Sequence, residues 1–260
     1  SRQYIMFLKQ KYILILDRIY FTLNKYRLRK NINMKLEKFE VNFQDHFIKG
    51  DKSEENCETI FLHGAGQSSR KRFEKLRESL NAKGFPSLGF DFIGHGETGG
   101  EMTNTSLHLR TKQAMSVIDG HSSQTLNLIG SSMSAYTAIK LTEIFNVENL
   151  VLMVPGIYTP KAYNVNFGSS FSEIIRVPNS WQDSDAFEIL KKFKGNLLIL
   201  AAQNDHVIPL RLLTMLFDSA INANSKKLHI IQDAEHRNLF PKEGDFELAV
   251  DMIRNTFALK

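Results

Sequence analysis

The chain has 260 residues, 42% of them apolar, with one cysteine and a formal net charge of +5. That length and apolar content provide for one sizeable core with a short appendage, while Cys57 alone excludes an internal disulfide framework or a thiolate zinc cluster and suits a reducing, cytoplasmic setting. The positive charge is local: residues 1–35 carry nine lysines or arginines against Asp17 as the only acid, so the rest of the chain is net acidic and is not expected to bind nucleic acid.

At the N-terminus, Ile5, Leu8, Tyr12, Ile15, Ile19 and Leu23 recur at helical spacing, with Lys9, Lys11, Asp17 and Arg18 between them. The pattern predicts an amphipathic helix within a basic segment, residues 1–35. Its charges interrupt the apolar run well short of the roughly 20 residues that span a bilayer, and no uncharged core precedes a small-residue cleavage site. Neither a transmembrane helix nor a signal peptide is expected. Three readings stay open: a helix packed on the body or on a second subunit, a membrane-surface anchor using Lys25 to Lys30, or disordered or non-native sequence. A homodimer contact or a peripheral membrane contact would therefore fall on residues 4–30.

Residues 36–260 alternate short apolar runs with longer helical patterns, as a parallel sheet covered by helices requires. Leu36 to Phe43 and His46 to Lys49 are the expected opening strands. Thr59 to Leu62, Ser87 to Phe90, Leu126 to Ile129, Leu150 to Val154, Leu197 to Ala201 and Leu228 to Ile231 are the expected core strands. Helices are expected over Ser69 to Ala82, Ser106 to Asp119, Met133 to Ile144, Leu210 to Ala220 and Phe246 to Phe257. Residues 156–194 are too long for a simple crossover and are read as a short cap, which either gates substrate or merely covers the sheet.

The strand ending at Ile129 runs into Gly130-Ser131-Ser132-Met133-Ser134 and then a helical pattern, the strand-turn-helix setting of a nucleophile elbow. The tight turn demands small residues two before and two after the serine; Gly130 satisfies this, and Ser134 stands where glycine is usual. Because a serine hydroxyl needs a general base, a histidine and an acid are expected downstream in the order Ser, Asp, His. His236 follows the last core strand and Asp205 the one before it, both beyond strand carboxyl ends. Asp233 and Glu235 compete as the acid but sit too near the histidine in sequence. A helix-capping role is the plain alternative for Asp205.

Acyl transfer also requires donors for a developing oxyanion. Gly64 and Gly66 let the backbone after His63 turn its amides inward, so Ala65 N–H and Met133 N–H are the expected donors. His63 is read as a structural residue that hydrogen-bonds this loop, and His95, in the glycine-flanked turn after Phe90, as structural too. Gly94 and Gly96 lack the third glycine and helix of a dinucleotide fingerprint. Phe92, Tyr158, Phe167, Phe171 and Trp181 are candidates for an apolar substrate pocket, with core or cap packing as the plainer reading.

Taken in order, LHGAGQSS (62–69), DFIGHGETGG (91–100), GSSMS (130–134), AAQNDHVIP (201–209) and AEH (234–236) resemble the α/β-hydrolase superfamily. They are most similar to its small short-cap members: serine aminopeptidase-like hydrolases, monoacylglycerol lipases and cinnamoyl esterases. The resemblance implies an eight-stranded, mostly parallel sheet with helices on both faces, no cofactor and no metal. It also implies a serine hydrolase acting on a small-molecule ester or thioester through Ser132, His236 and Asp205. An amidase, peptidase or acyltransferase with the same residues, a membrane-associated lipid hydrolase, and a non-enzymatic binder on this scaffold are the alternatives.

Overall fold

The side chains of the apolar runs alternate between two sides, and that period of two builds a layered structure. In the computed structural model, which describes residues 35–259, the strands are β1 (Glu37–Phe43), β2 (His46–Lys52), β3 (Cys57–Leu62), β4 (Ser87–Phe90), β5 (Ser122–Ser131), β6 (Asn146–Met153), β7 (Asn196–Ala202) and β8 (Ser225–Ile231). They form one eight-stranded sheet in the order β1-β2-β4-β3-β5-β6-β7-β8, antiparallel at β1, β2 and β4 and parallel from there to β8. Ile60, Leu62, Leu128, Leu150, Leu152 and Ile199 face one core. Phe61, Ile129, Val151, Met153, Leu198 and Leu200 face the other.

Helices close both faces. On the first lie α2 (Leu107–His121), α3 (Ser134–Leu141), α5 (Ala186–Lys192) and α6 (Leu210–Ser219); on the second lie α1 (Glu74–Asn81) and α7 (Glu243–Phe257). Fully burying each large aliphatic side chain stabilises the fold by roughly 1.5–3 kcal/mol. Buried asparagines add a polar ladder: Asn149 donates to Asn127 (2.7 Å) and Asn196 to Asn149 (2.9 Å), tying β5, β6 and β7 in register. The amphipathic helix expected at the N-terminus lies outside the described residues. Among the described residues no helix is long and apolar enough to cross a membrane.

Some expected boundaries shift for local reasons. The helix expected from Ser69 begins as a 3-10 turn, Arg70–Phe73, because Asp91 Oδ1 accepts the Arg70 N–H at 2.7 Å and holds the chain before α1 starts. The helix expected to reach Ile144 stops at Leu141, where the Thr142 hydroxyl and N–H both turn back to the Ile139 carbonyl. Between β6 and β7 the expected cap contains α4 (Ser169–Ile175), α5 and two 3-10 turns, Pro160–Ala162 and Ser180–Asp183. The strand order reverses around β3, which has β4 on one side and β5 on the other, so the carboxyl ends of β3 and β5 open side by side at a topological switch point.

Candidate active site

β5 and α3 meet at Ser132, whose φ of 51° lies in the left-handed region that costs a non-glycine residue about 1–3 kcal/mol. The surroundings enforce it: Ser132 N–H donates to the Met153 carbonyl (2.9 Å), and the Ser132 carbonyl accepts from Ala135 (3.0 Å) and Gly156 (3.1 Å). Gly130 is required, since a Cβ there would sit 2.5 Å from the Ser134 carbonyl. The strain lifts the Ser132 side chain out of the strand and into a groove.

His236 and Asp205 arrive from the loops after β8 and β7. His236 Nε2 lies 3.0 Å from Ser132 Oγ, and His236 Nδ1 lies 2.9 Å from Asp205 Oδ2. A carboxylate accepts only, so Nδ1–H donates to it and Nε2 is left to accept from the serine hydroxyl. Asp205 also accepts from the N–H groups of Val207 (2.8 Å) and Ile208 (2.9 Å) through Oδ1, so the capping role and the contact with the ring coexist. Burial raises the Asp205 pKa, but the bond from His236 and those two N–H groups outweigh it and leave the carboxyl below its ordinary range. Of the competing acids, Asp233 is taken by Lys242 at 2.7 Å, and Glu235 is exposed.

The loop after β3 runs beside the elbow. A Cβ on Gly64 would lie 3.1 Å from Ser132 Cβ and 3.8 Å from its Oγ, so only glycine leaves the space over the hydroxyl open. His63 is fully buried; its Nδ1 lies 2.7 Å from the Gly64 carbonyl and its Nε2 accepts from Phe92 N–H at 3.1 Å. These partners select the neutral Nδ1–H tautomer. Burial first, then the charge of Arg110, hold the His63 pKa well below the ordinary histidine value. His95 packs against it with ring centroids 4.8 Å apart.

Arg110 is one residue near the site that the sequence did not single out. It is fully buried on α2, donates to the His63 carbonyl (2.8 Å) and to Ser134 Oγ (2.9 Å), and stacks 3.8 Å above the Phe92 ring. The Ser134 hydroxyl in turn donates to the same His63 carbonyl. The serine in place of the usual glycine therefore ties the elbow helix to the loop after β3. Among the described residues no carboxylate pairs with Arg110, its Nε and Nη1 have no partner, and burial pushes its pKa down to about 9. One signal for it existed: Leu107, Arg110, Ala114 and Val117 share a helical stripe, so a cation stands among core positions.

A groove of about 720 Å³ exposes Ser132 and His236 between the Gly64–Ser68 loop, Arg72, Val207 and Arg237. Beside it, a cavity of about 370 Å³ reaches from His236 between Phe73, Leu76, Met153 and Phe246, residues not singled out from sequence. The five aromatic pocket candidates line neither space. Phe92 is fully buried between Arg110 and Phe90; Tyr158, Phe167 and Phe171 form a ring cluster within the cap; Trp181 meets Phe187 edge-on. Ala65 borders the groove, and Met133, next to Ser132, is buried with helical backbone angles.

No protein-family model matches the chain, and no curated protein sequence matches it. Solved structures do. An esterase of Pyrococcus furiosus superposes with a TM-score of 0.62 at 20% identity, covering 87% of this chain and 94% of its own. Est1E of Butyrivibrio proteoclasticus, solved with ferulic acid bound, gives 0.64 at 16% identity over 84% and 97%. A predicted hydrolase of Thermoplasma acidophilum gives 0.63 at 16% identity over 86% and 100%. At these identities the likeness is one of architecture, and with the sheet order and the elbow it establishes that the chain has the α/β-hydrolase fold.

Proposed function

We propose that the protein is a serine hydrolase that cleaves carboxylic esters or thioesters through an acyl-enzyme. The observation that carries this reading is the row Asp205 Oδ2, His236 Nδ1, His236 Nε2, Ser132 Oγ, with spacings of 2.9 and 3.0 Å, ending on a serine held at positive φ. His236 takes the Ser132 proton as the hydroxyl attacks the acyl carbon, and Asp205 keeps the ring in the tautomer that can accept it. The ring then protonates the departing alcohol or thiol, and water, activated the same way, releases the acid. Names of similar structures, among them an esterase and a thioesterase domain, support the same reaction class.

The developing oxyanion would meet Ala65 N–H and Met133 N–H, each worth about 2.7–4 kcal/mol when preorganised. Ala65 N–H belongs to the same peptide unit as the Gly64 carbonyl, which accepts from His63 Nδ1–H at 2.7 Å. Withdrawing electron density from that carbonyl strengthens the N–H as a donor. The buried Arg110 cation, with Nη2 3.5 Å from the same oxygen, acts in the same direction.

Steady-state turnover of an activated short-chain ester tests the reading. Ser132→Ala and His236→Ala should each lower kcat by about 10⁴-fold or more without unfolding the protein. Wild-type turnover in either variant would reject the assignment.

A further inference from the structure

The groove that exposes Ser132 and His236 has two arginines on its wall and no acidic side chain. Neighbouring lysines have carboxylate partners: Lys75 pairs with Glu243 at 2.7 Å, Lys242 with Asp233 at 2.7 Å, and Lys71, at 3.6 Å, shares Glu97 with Arg70 and Lys38. Arg72 and Arg237 are different. Both are exposed, and among the described residues neither has a carboxylate partner. Arg72 spends one N–H on the Arg237 carbonyl at 2.7 Å, which brings it to the backbone of the second arginine and leaves the rest of its planar fork free. Glu235, the acid next to His236, lines neither the groove nor the cavity beside it. Two like charges at one wall repel each other, and an anion between them removes the repulsion and accepts from both forks.

Their place relative to the histidine says which half of a substrate they meet. The leaving group must lie within reach of His236 Nε2, because that nitrogen delivers its proton. Arg237 directly follows His236, and Arg72 is tied to the Arg237 carbonyl. From this arrangement we infer that the substrate's leaving group carries an anionic group, a phosphate or a carboxylate, held by Arg72 and Arg237. The inference rests on the proposed hydrolase reading and specifies its substrate class: acyl esters or thioesters of an acidic alcohol or thiol.

Two chromogenic esters with one acyl group test it: 4-nitro-3-butanoyloxybenzoate, whose leaving group bears a carboxylate, and 2-nitrophenyl butanoate, which lacks it. With each kcat/KM normalised to alkaline hydrolysis of the same ester, the wild-type protein should prefer the carboxylate ester by about tenfold or more. Arg72→Gln and Arg237→Gln should each reduce that ratio about threefold and the double variant should bring it close to one, with Arg→Lys at either position retaining most of it. Inorganic pyrophosphate should inhibit wild-type turnover competitively, and the double variant should need far more of it. A wild-type ratio near one, an unchanged ratio in the double variant, or a stronger preference for 2-nitrophenyl hydrogen succinate, whose carboxylate sits on the acyl side, overturns the inference while leaving the hydrolase reading intact. A protein that cleaves none of these esters overturns the hydrolase reading and this inference with it.

Discussion

Two groups of buried arginines flank the loop after β3, and they solve the same electrostatic problem in opposite ways. Arg70 and Arg77 are neutralised: Arg70 Nε meets Asp51 at 2.5 Å, Arg70 also pairs with Asp91 and with Glu97 at 2.7 Å, and Arg77 joins Asp51. This network clips β2, the end of β4, the 3-10 turn and α1 together; its carboxylates leave no net positive charge to project. Arg110 has no such partner, only the carbonyls of His63 and Gly64, a hydroxyl and a ring face. Burying an unpaired cation costs stability. That cost is borne beneath the Gly64–Ala65 peptide, the one to which the proposed mechanism assigns an oxyanion donor.

Breaking the neutralised group should have the largest effect on stability. Asp91 accepts from the Arg70 N–H at 2.7 Å, from its guanidinium and from Glu97 N–H at 2.9 Å, so Asp91→Ala takes the one fully buried carboxylate from the Arg70 cation and leaves two backbone donors unpaired. Urea unfolding should show a loss of about 3–5 kcal/mol; a loss below about 1 kcal/mol would deny the network its structural role. Arg110→Met sharpens the contrast from the other side. Replacing an unpaired buried charge by an apolar chain of similar length should change stability by no more than about 1 kcal/mol, or raise it. In the same variant kcat for a neutral ester should fall about tenfold with KM little altered, since the interaction is felt in the transition state. A large stability loss with unchanged kcat would mean that Arg110 holds the fold and does nothing for the reaction.

What sequence could show follows the same divide. The core strands were legible because a buried parallel strand is a continuous apolar run, and Ser132, Asp205 and His236 because strand order and strand ends constrain where such residues fall. β5 begins four residues before its expected start, since Ser122, Gln124 and Thr125 are polar and carry no apolar signal. β2 extends through Asp51 and Lys52, whose charges argue against a strand until Arg70 and Arg77 are seen to neutralise Asp51 and Glu37 and Glu55 to flank Lys52. Arg72 and Arg237 are separated by 165 positions, and no local pattern announces that they share a groove. The aromatic residues of the cap were visible as apolar mass, but which space they border depends on packing that composition does not encode.

The central claim is that Ser132 is a nucleophile activated by His236. Incubation of the protein with an organophosphonate probe, followed by peptide mass spectrometry, tests it most directly. A single covalent adduct is expected on the peptide bearing Ser132, formed at a rate that His236→Ala lowers by about a thousandfold or more. No adduct, or an adduct on another residue with Ser132 unmodified, would contradict it.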